Sequence, residues 1–197
     1  TFATIYKSLK SETYAESIKA AFMLMDGYRR FPDDAEFTRE IQLKDVYNFR
    51  SRNYLLESLE NFKRKELVNA ENYTIEHIIP QKWAENWPLE NGEVVEFENP
   101  YAVLSIPDRN LSSESRALME QRQTAKHAFG NLTMITNSLN PYLSNWGWSK
   151  KKPKLSTSLL AVNRGIAKED RWDERSIARR GLELADFAVS IWPQPQH

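Results

Sequence analysis

The chain has 197 residues, 41% hydrophobic and 12% aromatic, which is enough for one compact domain or two small lobes. It has no cysteine, which excludes a disulfide framework and thiolate chemistry and permits a cytoplasmic setting. The formal net charge is zero, which argues against a nucleic-acid coat protein that works by counterion release, and no run is long and apolar enough to span a membrane.

The N-terminus lacks a basic-then-apolar signal pattern and begins at Thr1, so the sequence reads as a piece of a longer polypeptide. From Ser11 to Arg30, Ile18, Ala21, Phe22 and Met25 recur at helical spacing and predict one buried stripe, with Gly27 and Pro32 helping to end it. From Arg52 to Glu66, Leu55, Leu56, Leu59 and Phe62 repeat the pattern, so residues 1–70 read as a helical lead-in lobe. The β-branched run around Tyr73-Thr74-Ile75-Glu76-His77-Ile78-Ile79-Pro80-Gln81 predicts a strand that Pro80 ends early, and Gly130 to Asn140 predicts a second. Between them residues 82–126 form a long insertion with turn signals at Pro88, Asn91-Gly92, Pro100 and Pro107 and a short helix over Ser113 to Thr124. Residues 71–154 thus form the core unit, and 155–197 add C-terminal helices that pack on it. There Asp173 is the expected N-cap, and Ile177, Gly181, Leu184, Ala188 and Ile191 share one face. The fold class expected is α+β, mostly helical, as one compact unit.

Charge is unevenly placed. Residues 71–100 carry seven acids against Lys82, whereas residues 141–180 carry ten bases against four acids. Such asymmetry can steer a polyanion to one face, or can simply be a solvated surface.

The most informative feature is Glu76 beside His77 inside an apolar run, because burying a carboxylate and an imidazole without a task is costly. Phosphodiester hydrolysis needs a base to activate water and a cation to neutralise charge growing on the phosphate. His77 suits the first role, since an imidazole titrates near neutral pH. Glu76 and Asn140 can offer oxygens to Mg²⁺, and Asn131 can hydrogen-bond the His77 ring and fix its orientation. Adjacent strand residues point to opposite faces, so convergence of Glu76 and His77 requires a bulge, a twist or a strand end. Asn140, followed by Pro141, can equally be a helix N-cap. His127 reads as a structural or substrate-contacting residue. Lys150, Lys151 and Lys152 read either as phosphate contacts or as solvated charges, and Trp146 and Trp148 as base-stacking or core aromatics. With three histidines and no cysteine, a zinc hydrolase is disfavoured.

The series Glu76-His77-Ile78-Ile79-Pro80-Gln81, Gly130-Asn131-Leu132-Thr133, Asn140 and Ser144-Asn145 through Trp148 and Lys151 resembles the C-terminal nuclease domain of GmrSD-type, modification-dependent restriction endonucleases. These lie within the HNH or His-Me finger (ββα-metal) superfamily. The resemblance covers most of the chain and extends through Leu160-Ala161-Val162-Asn163-Arg164 and Trp172-Asp173-Glu174 to Ile191-Trp192-Pro193. The first motif is also similar to one in the HNH domain of RNA-guided CRISPR nucleases, where a metal-binding Asn follows a strand-opening Asn at the spacing of Asn131 and Asn140.

By position, the resemblance implies a ββα-metal core flanked by N- and C-terminal helices, with Glu76 and Asn140 as metal ligands and Asn145 as a rival to Asn140. It implies His77 as general base, Asn131 as the residue that orients it, and Mg²⁺ or Mn²⁺ as cofactor. The superfamily often has Asp or His at the position of Glu76, whose side chain is a methylene longer than Asp. The expected partner is DNA, nicked one strand at a time in antiphage defence, under an N-terminal nucleotide-binding sensor domain missing from this sequence. The alternative is a catalytically silent module that binds DNA or docks on another domain. The sequence sets no oligomeric state and calls for no membrane partner.

Overall fold

The computed structural model describes residues 6–7, 13–27, 30–64, 73–96, 111–137 and 139–194. Pro100 and Pro107, the junction expected near residue 70, and His197 lie outside the described residues. The architecture is α+β and mostly helical, with a two-stranded antiparallel sheet. No described helix is long and apolar enough to cross a membrane.

Helix α1 spans Tyr14–Met23, α2 Asp34–Leu43 and α3 Arg52–Lys63. The stripe predicted for the first of these is shorter than expected and only partly covered: no residue of α1 is buried, and Ile18 is exposed. Helix α2 is started by Asp33, whose carboxylate accepts from the Glu36 amide at 2.7 Å. In α3, Leu56 and Leu59 are fully buried as their spacing predicts, while Phe62 sits at the edge against Phe187.

Strand β1 (Tyr73–His77) pairs with β2 (Leu132–Thr136) over five consecutive positions, from Tyr73 opposite Thr136 to His77 opposite Leu132. The connection carries helix α4 (Ser113–Ala125) and a 3₁₀ turn over Phe129–Asn131. After β2 come a one-turn helix α5 (Asn140–Leu143), α6 (Trp148–Ser156) and the long α7 (Glu174–Ile191). A positive φ of 24° at Ser144 separates α5 from α6. Lys150, Lys151 and Lys152 therefore lie within the second of these helices.

The hairpin divides the core in two. Residues directly opposite each other across an antiparallel pair share a face, and faces alternate along each strand. Ile135, on the Glu76 face, joins a cluster with Leu143 of α5, Leu155 of α6 and the tryptophans Trp83, Trp87 and Trp172. Leu132 and Met134, on the His77 face, join a second cluster with Ile41 of α2, Leu56 and Leu59 of α3, and Leu184 and Ala188 of α7.

Helix α7 holds the entry to β2. Asp173 caps it by accepting from the Ser176 amide at 2.9 Å, as expected. It passes so close to Gly130 that a Cβ there would lie 2.0 Å from the Ile177 carbonyl oxygen, which leaves room only for glycine. The Arg180 guanidinium, buried and lowered by that burial to about 9, donates to the carbonyls of Gly130 and Leu132 at 2.7 Å each. Both bonds fix the backbone on either side of Asn131.

Candidate active site around His77

The end of β1 is shaped by Asn131. Its backbone carbonyl accepts from the Ile78 amide at 2.9 Å, and its side-chain oxygen accepts from the Ile79 amide at 2.8 Å. Its amide nitrogen donates to the carbonyls of Ile79 and Lys126, and the Trp172 indole donates to its oxygen at 3.3 Å. Asn131 is fully buried. The resemblance implies that this side chain orients the His77 ring. Its bonds run instead to backbone and to Trp172, so it fixes where the chain turns after His77.

The ring of His77 meets a different partner. His77 Nε2 lies 2.9 Å from His127 Nδ1, and the tautomer decides which nitrogen donates. Tyr47 covers both imidazoles, with ring centroids 4.3 Å from His77 and 5.4 Å from His127. Tyr47 is carried on the 3₁₀ turn Val46–Asn48, which Asp45 caps by accepting from the Asn48 backbone and side-chain amides. Arg52 donates to the Tyr47 carbonyl at 2.6 Å and stacks over its ring. His127 thus touches His77, a contact that its position four residues before Asn131 did not signal. Tyr47 and Asp45 were missed in the sequence, where nothing but an Asp-x-x-Asn turn marks them.

The electrostatics favour neutral rings. Burial, reinforced by His127, Lys151 and Lys126 and opposed by Asp45, pushes His77 down to about 3. Burial also lowers His127, against the pull of Asp45.

Glu76 serves the other face of the hairpin. The pairing is continuous and unbulged, so alternation sends Glu76 and His77 apart. The convergence that a bulge would have allowed is absent here. The Glu76 carboxylate accepts from Lys151 Nζ at 2.7 Å, and the same ammonium donates to the His77 backbone carbonyl at 2.8 Å. Lys151 is 0% exposed. Read with its neighbours as a phosphate contact or a solvated charge, it is instead an internal cation, because α6 turns this one lysine inward with Leu155 while Lys150 and Lys152 face outward. Burial raises Glu76 and lowers Lys151, and each opposes the other's shift.

Asn140 is the first residue of α5 and is exposed; Leu139 takes the cap position with no side-chain cap bond, so the N-cap alternative is not realised. Helix α5 packs against β1, and its Leu143 lies in the cluster on the Glu76 face. Asn145 is exposed, and its carbonyl accepts from Asn86 Nδ2 at 3.2 Å. A divalent ion fits this set poorly as arranged, since the one carboxylate in it already holds the Lys151 ammonium. Among the described residues no group of three or more His, Asp or Glu stands ready to hold a metal.

The charge asymmetry is partly spent within the molecule. Acids of 71–100 meet bases of 141–180 in Glu76–Lys151, Glu90–Arg171 and Glu90–Arg175. Lys152 pairs with exposed Asp170, and Lys150 sits 3.4 Å over the ring of exposed Trp146. Trp148 packs between Trp87 and Trp172, as a core aromatic does.

Fold and side chains together define an α+β domain organised around a histidine-bearing hairpin. The family model for GmrSD restriction endonucleases, C-terminal domain, matches residues 31–187, and the chain belongs to that family. No curated protein and no solved structure matches it. Membership supports a nuclease, for which DNA is the implied substrate.

Proposed function

We propose that this chain is the DNA-cleaving domain of a modification-dependent restriction enzyme acting in antiphage defence, with His77 as general base. The observation that carries the reading is the pairing of His77 with His127 at the end of a hairpin in a chain of this family. Of the two His77 nitrogens, Nε2 faces His127, which leaves Nδ1 to take a proton from water. In that tautomer His77 Nε2–H donates to His127 Nδ1, which holds the ring and keeps the Nδ1 lone pair available. A ring lowered to about 3 is fully in the base form at neutral pH. The negative charge of a bound phosphodiester beside it favours the imidazolium and so strengthens the base when substrate is present.

Asn131 contributes by position, setting the backbone turn directly after His77. Lys150, with Trp146, offers a cation and an aromatic face at the surface for the DNA backbone, and His127, half-buried, is the other substrate-facing group. Nucleases commonly use a divalent metal, and Mg²⁺ or Mn²⁺ is the ion proposed here, which would neutralise charge on the phosphate when bound. Glu76 and Asn140 or Asn145 are the oxygens proposed for it, with Glu76 competent only once Lys151 has released its carboxylate. A single site cuts one strand, so the expected product is a nick. A separate N-terminal nucleotide-binding sensor belongs to the same proposal. Supercoiled plasmid incubated with the chain and either metal tests it: relaxed circles are expected, and DNA binding without cleavage under both metals supports the silent docking module instead.

A further inference from the structure

The Lys151 ammonium occupies the kind of position a metal ion takes. It is bound by two hard oxygens, a carboxylate at 2.7 Å and a main-chain carbonyl at 2.8 Å, and is closed off from solvent. Mg²⁺ favours the same donors, held more closely and with several waters retained. The Glu76 side chain is 13% exposed and has no described partner other than Lys151 that is a cation. The two lysines beside it on α6 are engaged elsewhere, Lys150 over Trp146 and Lys152 with Asp170. One carboxylate shared by an ammonium and a divalent ion would leave three positive charges on one negative charge in a mostly buried space, which charge repulsion and desolvation both oppose.

We propose that Lys151 is a built-in cation at Glu76, and that its ammonium and a divalent ion bind the Glu76 carboxylate in mutual exclusion. The exchange also reaches the base. The same ammonium holds the His77 carbonyl, so an ion that displaces it removes that bond at the residue whose ring faces His127, while the Ile78 amide keeps its bond to the Asn131 carbonyl. The proposal takes from the nuclease reading only the expectation of a divalent ion at Glu76. Its test uses metal binding without DNA, so its failure leaves cleavage by His77 untouched.

Mn²⁺ affinity is measured by calorimetry for the wild-type chain, Lys151→Met, and Lys151→Met combined with Glu76→Gln. Removing the ammonium leaves a buried carboxylate unpaired, so Lys151→Met is expected to bind Mn²⁺ about tenfold tighter or more, and Glu76→Gln to abolish that gain. Equal affinity in wild type and Lys151→Met overturns the proposal. Should Lys151→Met not fold, the wild-type protein decides: the Lys151 ammonium and Glu76 carboxyl resonances are followed by NMR as Mg²⁺ is added. Loss of the ammonium signal together with a Glu76 shift supports exclusion, whereas both signals unmoved at saturating Mg²⁺ contradict binding of the ion at Glu76. A Glu76 carboxyl that responds to Mg²⁺ while the ammonium signal stays intact contradicts exclusion.

Discussion

Glu76 and His77 are neighbours in the chain and work on opposite faces of one hairpin, Glu76 bound to Lys151 of α6 and His77 bound to His127 beneath Tyr47. A continuous five-residue register enforces the division. Two side chains that read in sequence as one unit therefore belong to two networks, joined through the single ammonium that touches both the Glu76 carboxylate and the His77 carbonyl.

His127 is the first consequence. If it sets the tautomer of His77, His127→Gln lowers the cleavage rate about ten- to a hundredfold and changes the pH profile, beyond any loss of DNA affinity. A substitution that weakens binding and leaves the rate at saturating DNA unchanged would assign His127 to substrate contact alone. Single-turnover rates across pH, set beside binding measurements, separate the two.

Both imidazoles also make stability depend on pH. His77 is lowered from 6.5 to about 3, and His127 is lowered too, so as pH falls through 6.5 the unfolded chain takes up protons that the folded chain refuses. Stability is therefore full above that range and declines as pH drops towards the folded-state values. Thermal unfolding followed between about pH 7.5 and pH 5 should show a falling midpoint, and His77→Asn should flatten the slope.

Much of this arrangement was legible from the residues. The two strands, the early end at Pro80, the cap at Asp173 and the buried stripe of α7 follow from β-branched runs, turn chemistry and helical spacing, all local signals. Lys151 is hidden in the sequence, because three consecutive lysines look like a solvated run. Yet Trp148, Lys151 and Leu155 stand at i, i+3 and i+7, the spacing of an inward helix face. The meeting of His77 with His127, fifty residues on, and with Tyr47, thirty residues back, has no local signal, since it depends on how α2 and the turn before β2 pack around the hairpin.

Asn131 tests the positioning of β1. Its side chain satisfies the Ile79 amide and carbonyl, the Lys126 carbonyl and the Trp172 indole, all lost together in Asn131→Leu. Leaving several buried groups unpaired should cost about 2–4 kcal/mol in urea unfolding. Asn131→Asp keeps the accepting oxygen and loses both donated bonds, so it is expected to be destabilised as well. A loss of activity without a loss of stability would instead return Asn131 to a direct role at the His77 ring.

The most direct measurement is plasmid nicking by wild type and His77→Ala, with folding of both checked by circular dichroism and DNA affinity measured in parallel. The expected result is a loss of cleavage of about a hundredfold or more, with the fold and DNA binding kept. Nicking by folded His77→Ala at the wild-type rate would contradict the account.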